Sequence, residues 1–201
     1  IRIKNERVRR DYISGGSIMD NGASSYRRFL DGDKAAFDEI MEELFTGLVF
    51  FIDRYVRNLH TAQDIAIDVF SDLIAYPNRY NFRFSLKTYL YMLGRSRAID
   101  HLRRQKHIRF VPLTEADMLT DDRSDLERQL LADEQKQAVN VAIAKLPQDM
   151  QAAVHLVYFS QMSYEEAARV MKKSRKQVDN LLYRAKKELR IILGEDGEQS
   201  L

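Results

Sequence analysis

The sequence predicts an all-α protein, with two helical domains joined by an acidic flexible linker and a helix-turn-helix in the C-terminal domain. Only three of the 201 residues are prolines, and no glycine lies between Gly94 and Gly194. That stretch is rich in Ala, Leu, Lys, Arg, Glu and Gln, which favour helices. No alternating run of Val, Ile and Thr reaches the length of a strand. These observations together indicate helices throughout.

The prolines mark the ends of helices. Pro77 ends a helix predicted over 62–75, because a proline ring restricts the residue before it to extended conformations. Pro112 likewise ends the helix before it. Pro147 is expected as the first residue of a helix, where its fixed φ angle is suitable. Five segments follow from this division: a poorly ordered leader over 1–23, a first domain over 24–110, the acidic linker over 111–127, a second domain over 128–193 and an acidic tail over 194–201.

The composition excludes several classes of protein. Without cysteine, the chain has no disulfides, Cys-ligated zinc sites, iron–sulfur clusters or thiol nucleophile. The four histidines lack the spacing of metal ligands, and no pair of acids lies in a catalytic motif, so we expect neither an enzyme nor a cofactor. No apolar run approaches the roughly 18 residues of a membrane span, and no secretory signal is visible. We therefore expect a cytoplasmic protein without a membrane span.

The net charge of +2 conceals an uneven distribution along the chain. Residues 87–110 carry seven basic and one acidic residue, and residues 172–193 carry eight basic and two acidic residues. The intervening residues 111–171 are acidic, with eleven acidic and five basic residues. Two compact basic segments in acidic surroundings are typical of contact with nucleic acid, although solvated helix faces can look the same.

Two capping boxes in the second domain predict a helix-turn-helix. Ser163 and Glu166 have the Ser-x-x-Glu spacing in which each side chain satisfies the other's backbone N–H. Ser174 and Gln177 repeat the pattern eleven residues later. Two short helices joined by a tight turn are the pattern of this motif. The buried stripe of the second helix is predicted to contain Val178, Leu182, Ala185 and Leu189.

The opposite face of this second helix is a candidate surface for a DNA major groove. Arg and Asn side chains can make two-point contacts with base edges there, whereas Lys mainly contacts phosphates. The alternative is a basic surface helix in an ordinary three-helix domain. The candidate residues on this face are Arg175, Lys176, Asn180, Tyr183, Arg184 and Lys187.

Aromatic and basic residues adjoin one another in the first domain. Unpaired bases can stack on aromatic rings while arginines neutralise the backbone. Taken singly, the aromatic residues are more often core, and we expect this of Tyr80, Phe82, Phe84 and Tyr89. The long helix that follows has one packed row, at Leu86, Leu90, Gly94, Ala98 and Leu102. This row leaves four basic side chains largely free for solvent or phosphate, namely Lys87, Arg95, Arg103 and Lys106.

The order of these motifs resembles that of bacterial RNA polymerase sigma factors of the extracytoplasmic-function (ECF) type, which keep only sigma domains 2 and 4. Residues 32–37 match the family's Gly-Asp-x-x-Ala-Phe opening, and residues 61–70 resemble the helix that docks on the polymerase clamp. Residues 88–104 resemble the family's Thr-Trp-Leu-Tyr…Arg-Arg segment, although Tyr89 replaces the tryptophan. Residues 146–186 fit the domain that reads the −35 element.

The resemblance implies a function and a set of partners. It implies binding to core RNA polymerase through Asp64 and Asp68, followed by promoter recognition, melting of the −10 element and initiation of transcription. The helix-turn-helix face would bind the −35 element as duplex DNA. Whether an anti-sigma factor also binds stays open. The −10 element would be bound as a single strand by Phe82, Arg83, Phe84, Ser85, Lys87, Arg95, Arg97, Arg103 and Arg104.

Two departures from the family pattern lie in the helix-turn-helix and on the clamp-binding helix. Lys172 and Lys173 replace the usual Gly-Ile in the turn of the helix-turn-helix, and Ile67 replaces a common glutamine on the clamp-binding helix.

Two other classes of protein stay open on the residues alone. One is a helix-turn-helix regulator that binds duplex operator DNA without polymerase. The other is a helical module whose basic helices contact an acidic protein.

Overall fold

The structure is a computed structural model that describes residues 22–108 and 134–194. Three of the predicted segments lie wholly or mostly outside the described residues. They are the leader apart from its last two residues, the linker over 111–127 with Pro112, and the tail beyond Gly194. Every element in the described ranges is helical, which confirms the all-α class.

The helices form an N-terminal region, α1 to α4, and a C-terminal region, α5 to α8. A short 3-10 turn at Pro77–Arg79 follows α3, and a π-helical turn at His155–Phe159 continues α6. In chain order the helices are α1 (Ala23–Leu30), α2 (Ala35–Val56), α3 (Leu59–Ala75), α4 (Leu86–Ile108), α5 (Glu134–Ala144), α6 (Gln148–Val154), α7 (Tyr164–Met171) and α8 (Arg175–Leu193).

Helix α2 is the centre of the N-terminal region, where α1, α3 and α4 all pack against it. Tyr26 of α1 is fully buried, and its hydroxyl donates to the Leu73 carbonyl of α3 at 2.9 Å. Gly94 lets α4 approach α2 closely, because a Cβ at this position would lie 2.9 Å from Leu48 Cδ1 and 3.2 Å from Ile52 Cδ1. A larger residue at this position would therefore displace the Leu48 and Ile52 side chains of the packed core.

The predicted row along α4 faces this core. Leu86, Leu90 and Ala98 are fully buried, and Leu102 is half-buried against the same cluster. The spacing of four residues correctly identified the inner face of α4, because such residues lie on one side of a helix.

The start of α3 differs from the prediction. The helix begins at Leu59 rather than at residue 62, because the Asn58 side chain caps it by accepting a hydrogen bond from the Thr61 N–H at 2.8 Å. Its end at Ala75, just before Pro77, is as predicted.

In the C-terminal region, the stripe predicted on α8 is buried as expected at Val178, Leu182, Ala185 and Leu189. The prediction for Pro147 is wrong by one residue. It is the N-cap of α6 rather than the first helical residue, with an extended ψ of 144°. Its carbonyl accepts the N–H groups of Met150 and Gln151 and so begins the helix.

The two regions contact each other directly. Helix α4 packs against α7, and α2 packs against α6 and the π-helical turn.

Candidate nucleic-acid interface

Both predicted capping boxes are present and fix the geometry of the helix-turn-helix. At α7, Ser163 Oγ accepts the Glu166 N–H at 3.2 Å, while Glu166 Oε2 accepts the Ser163 N–H at 2.9 Å. At α8, Ser174 Oγ accepts the Gln177 N–H at 3.2 Å and Gln177 Oε1 accepts the Ser174 N–H at 2.7 Å. The start of each helix is therefore defined by a reciprocal pair of bonds.

The turn between these helices contains a lysine whose backbone is in the left-handed helical conformation. Lys172 has a φ of 53°, in the region that glycine adopts readily and other residues adopt at a cost. The Lys173 N–H closes the turn on the Ala168 carbonyl at 2.9 Å, and Lys173 Nζ pairs with Asp149 Oδ2 at 3.0 Å. Lys172, which replaces the glycine common in the family, is therefore the residue of this turn that has a positive φ.

Helix α8 presents its whole candidate face to solvent. Arg175 pairs with Glu165 of α7 at 3.0 Å, which holds its guanidinium near the N-terminal end of α8. Tyr183 is 72% exposed, an unusual position for a large aromatic side chain. All six candidates are exposed: Arg175, Lys176, Asn180, Tyr183, Arg184 and Lys187.

A cluster of aromatic rings supports the loop before α4. The Tyr80 ring is buried and packs 4.6 Å from the Phe82 ring and 5.1 Å from the Tyr89 ring. Its hydroxyl donates to the Phe84 carbonyl at 2.7 Å, which fixes the loop backbone. Phe82 has a φ of 58° and lies under the Arg27 guanidinium at 4.8 Å. The expectation that Tyr80 packs in the core is confirmed, and Phe82 and Phe84 are half-buried.

Ser85 and Thr88 organise the first turn of α4. Ser85 Oγ accepts the Thr88 N–H at 3.1 Å and donates to Thr88 Oγ1 at 2.8 Å. Lys87 between them is half-buried, and burial lowers its pKa despite the opposing charges of Glu43 and Glu166. The expectation that Lys87 lies largely free for solvent is therefore wrong, because the side chain is half-buried.

The remaining basic candidates divide into exposed and engaged side chains. Arg95 is half-buried, with its guanidinium 5.9 Å from the centre of the Tyr55 ring, so the expectation of a free Arg95 is also wrong. Arg97 is held by two acids of α3, Asp68 and Asp72. Arg83, Arg103 and Arg104 are exposed, with Arg103 within 3.5 Å of Asp100, and Lys106 lies beyond the residues whose side chains are described.

One face of α3 presents the two acids that the resemblance assigns to polymerase. Asp64 and Asp68 are exposed one turn apart, and Ile67 between them is 51% exposed. The Arg97 guanidinium lies 3.2 Å from Asp68 Oδ2 and also contacts Asp72, which forms a second ion pair with Arg79 at 3.7 Å. Helix α3 is therefore tied to α4 by ion pairs that the sequence did not reveal.

Two side chains at the loop were missed by sequence reasoning. Glu166 Oε1 lies 3.2 Å from both Ser85 Oγ and Thr88 Oγ1, and the Arg169 guanidinium lies 4.5 Å over the Phe84 ring. Burial favours a raised pKa for Glu166, but its hydrogen bonds with Ser163, Ser85 and Thr88 outweigh this and lower the pKa. No local pattern signals these contacts.

Two further observations concern only the described residues. They contain no group of three or more His, Cys, Asp or Glu side chains arranged to hold a metal ion. None of their helices is both long enough and apolar enough to cross a membrane.

The geometry defines a helical protein with an exposed helix-turn-helix face and a separate loop where aromatic and basic side chains adjoin. Known families match the same two regions. The family model described as Sigma-70 region 2 matches residues 40–108, and that described as Sigma-70, region 4 matches residues 136–189.

Relatives and solved structures agree with these matches. RNA polymerase sigma-H factor of Pseudomonas aeruginosa is 31% identical over 168 residues, covering 79% of this chain and 86% of the relative. ECF RNA polymerase sigma factor SigM of Bacillus subtilis is 23% identical over 156 residues, which cover 77% of this chain and 93% of the relative.

Two solved structures share the fold at low identity. CnrH in complex with the cytosolic domain of CnrY has a TM-score of 0.58 at 17% identity, covering 86% of this chain and 94% of that one. The sigma factor RpoE in complex with the anti-sigma factor NepR from Bartonella quintana has a TM-score of 0.56 at 19% identity. The match covers 78% of this chain and 96% of that one. The chain belongs to the bacterial RNA polymerase sigma factors, of the ECF type.

Proposed function

We propose that this chain binds core RNA polymerase in the cytoplasm and directs it to promoters as a specificity subunit, without catalysing a reaction itself. The observation that carries the proposal is that one chain holds three surfaces of different character. These are the exposed basic face of α8, the aromatic and basic loop at the start of α4, and the acidic face of α3.

The face of α8 would read the −35 element as duplex DNA. All six candidates are exposed, and the capping box at Ser174 fixes the N-terminal end that enters the groove. Arg175, Asn180 and Arg184 have the side chains that read base edges, and Lys176 and Lys187 suit phosphates. Tyr183 adds an exposed ring to this face.

The loop at 82–85 and helix α4 would hold the −10 element as a single strand. Phe82 and Phe84 would offer ring faces for stacking once the Arg27 and Arg169 guanidiniums that lie over them move away. The exposed Arg83, Arg103 and Arg104 would offer charge for phosphates. Bases held in this way offset the few kcal/mol that unstacking costs, so melting needs no ATP. Lys87 and Arg95 would act here only after rearrangement, because both are half-buried, and Arg97 only after leaving its acid partners.

The face of α3 would dock on the polymerase. Asp64 and Asp68 supply the charge and Ile67 supplies an exposed apolar side chain between them. An anti-sigma protein is a further proposed partner, because the similar structure of the sigma factor RpoE holds the anti-sigma factor NepR.

Run-off transcription with purified core polymerase on a genomic promoter library tests the proposal. We expect promoter-specific transcripts only when the protein is added, and selected promoters that share two elements at a fixed spacing. Nanomolar binding to duplex DNA by the protein alone, without promoter-specific initiation, would instead identify a helix-turn-helix regulator and overturn the proposal.

A further inference from the structure

An acid, Asp179, lies among the six exposed candidate residues of α8, which are here called the reading face. Asp179 is itself exposed, in the N-terminal half of the helix. It lies one helical turn from Arg175 on one side and from Tyr183 on the other, and it adjoins Asn180. The N-terminal half of such a helix meets the base edges in a major groove. The Asp179 carboxylate is therefore placed where bases would be read.

The cation nearest to Asp179 along the helix is engaged elsewhere. Arg175, four residues earlier, has the spacing of an intrahelical ion-pair partner. Its guanidinium instead contacts Glu165 of α7, with Arg175 Nε 3.0 Å from Glu165 Oε1. Among the side chains that the structure describes, none forms an ion pair or a hydrogen bond with the Asp179 carboxylate. Both of its oxygens are therefore available to accept hydrogen bonds.

The stability of α8 does not depend on this acid. An acid stabilises a helix through the macrodipole when it lies in the first turn, and the first turn of α8 contains none. The N-terminal end of the helix is already fixed by the capping box of Ser174 and Gln177. On a face that approaches phosphates, a carboxylate without a partner is repelled by their charge and also loses its water. Such a side chain favours binding only where a base satisfies it.

The hydrogen-bonding patterns of the bases single out cytosine as that partner. An ionised carboxylate accepts hydrogen bonds and donates none. In the major groove guanine and thymine present acceptors, which would face the carboxylate without a donor between them. Adenine presents an amine next to the N7 acceptor, whereas the N4 amine of cytosine has no acceptor beside it. A carboxylate on the reading face therefore favours cytosine over the other three bases.

We propose that Asp179 is a specificity-determining residue, which selects a cytosine in the −35 element by accepting a hydrogen bond from its N4 amine. The proposal rests on the proposed function, because it assigns a base to the face that would read the duplex. Lys176 and Lys187 supply affinity through phosphates, whereas Asp179 rejects duplexes that lack this cytosine.

Selection from a promoter library with a randomised −35 element tests this assignment. Holoenzyme formed from core polymerase and the full chain should prefer cytosine by about tenfold at one position. Asp179→Asn should change that preference to adenine, because an amide can bond both N6 and N7 of adenine. Asp179→Ala should lose the preference at that position and keep it at the others. An unchanged cytosine preference in both variants would overturn the proposal.

Glu188→Gln is the matched control, because it removes the same charge from the same helix. Glu188 is half-buried nearer the C-terminal end of α8, and its loss should leave the cytosine preference intact. A shift of base preference in the control equal to that in Asp179→Asn would show a general effect of charge and contradict the proposal.

Binding to two duplexes distinguishes base selection from a merely structural role. Asp179→Asn should bind a duplex of unrelated sequence several-fold more tightly than the wild type, since one repulsive charge is lost. It should bind the duplex with the selected cytosine more weakly. Weaker binding to both duplexes would assign Asp179 to the structure of the helix-turn-helix and overturn its role in selection.

Selection of randomised duplexes by the full chain without polymerase separates this proposal from the proposed function. The wild type should enrich the same cytosine, and Asp179→Asn should enrich adenine there. If these preferences appear while run-off initiation fails, the proposed function is wrong and the role of Asp179 stands at an operator. If initiation succeeds while neither selection depends on Asp179, the proposal alone is overturned. A wild-type chain without base preference in either selection would also overturn it.

Discussion

Lys172 shows how one residue departs from its family at a conformational cost. Its φ of 53° is unfavourable for a side chain with a Cβ, by about 1–2 kcal/mol for a non-glycine residue, and glycine loses part of this advantage through its greater entropy when unfolded. Lys172→Gly should therefore raise the free energy of unfolding by up to about 1 kcal/mol.

Urea unfolding followed by circular dichroism measures this change. Lys187→Gly, in the interior of α8, is the matched control and should lower the free energy of unfolding by about 1 kcal/mol. A loss of stability in Lys172→Gly comparable to that of the control would show that the left-handed turn carries no strain.

The proposed reading of the −35 element can be tested at a single residue, Arg184. It is exposed on α8 and can contact a base edge at two points. Arg184→Ala should weaken use of a −35-dependent promoter by about 1–3 kcal/mol. Promoter strength in reconstituted transcription checks this, with the exposed Arg190→Ala near the end of α8 as the control. Equal effects of the two substitutions would remove Arg184 from the reading face.

His155, where the π-helical turn packs against α2, gives the stability of the protein a dependence on pH. Burial, together with Arg54 and Lys87, lowers its pKa from about 6.5 to about 3, whereas its hydrogen bond to the Gly47 carbonyl opposes the shift. Because the folded pKa is lowered, the unfolded chain binds more protons between these values, and stability falls as pH falls below about 6.5.

The loss from this one group between pH 7 and pH 5 is on the order of 2 kcal/mol, for unfolding or for opening that exposes the ring. Urea unfolding at both pH values should show a larger loss for the wild type than for His155→Gln, which lacks the titrating group. An equal loss in both proteins would show that His155 is already hydrated in the folded state.

At the scale of the element, α3 carries the proposed contact with polymerase. Asp64→Ala combined with Asp68→Ala should reduce capture of core polymerase in a pull-down, because the variant loses both exposed charges of this face. Full retention would move the docking surface elsewhere on the chain.

A control is needed because Asp68 also pairs with Arg97 at 3.2 Å. Arg97→Ala breaks the same pair and leaves both acids in place. Comparable loss of capture in Arg97→Ala would assign the effect to the packing of α3 on α4 rather than to docking.

Local signals explain why several elements could be predicted. The capping boxes at Ser163 and Ser174 and the stripe beginning at Val178 depend on residues three or four apart, and all are present. The start of α3 was missed, because Asn58 was not recognised as a cap. Pro147 was misplaced by one residue, since its φ suits both the N-cap and the first helical position.

Contacts between distant residues could not be predicted from pattern alone. Ser85 and Glu166 are 81 positions apart, and nothing near either residue indicates that they meet. The same applies to Arg97, whose acid partners lie 25 and 29 positions away, so a candidate DNA contact turned out to be engaged within the protein. Lys87 and Arg95 were misjudged for the related reason that burial depends on the packing of other helices.

At the scale of the whole molecule, the uneven charge of the sequence corresponds to separate surfaces. The basic segment of α8 lies on an exposed face, and the acidic pair of α3 lies on another. The basic segment of α4 is partly used within the protein, at Arg95 and Arg97. Under the proposed function, duplex reading and polymerase docking would use surfaces that are already exposed, whereas the −10 surface would require rearrangement.

Melting of the −10 element is the most direct test of this account. Permanganate oxidises thymines that have left the duplex, so its reactivity can be mapped on a promoter selected by run-off transcription. With core polymerase and the protein together, we predict reactive thymines confined to the −10 region, absent with either component alone and reduced in Phe84→Ala. A promoter that is transcribed specifically while its thymines react equally in Phe84→Ala and the wild type would contradict the role of the loop, and an absence of melting with both components would contradict the account as a whole.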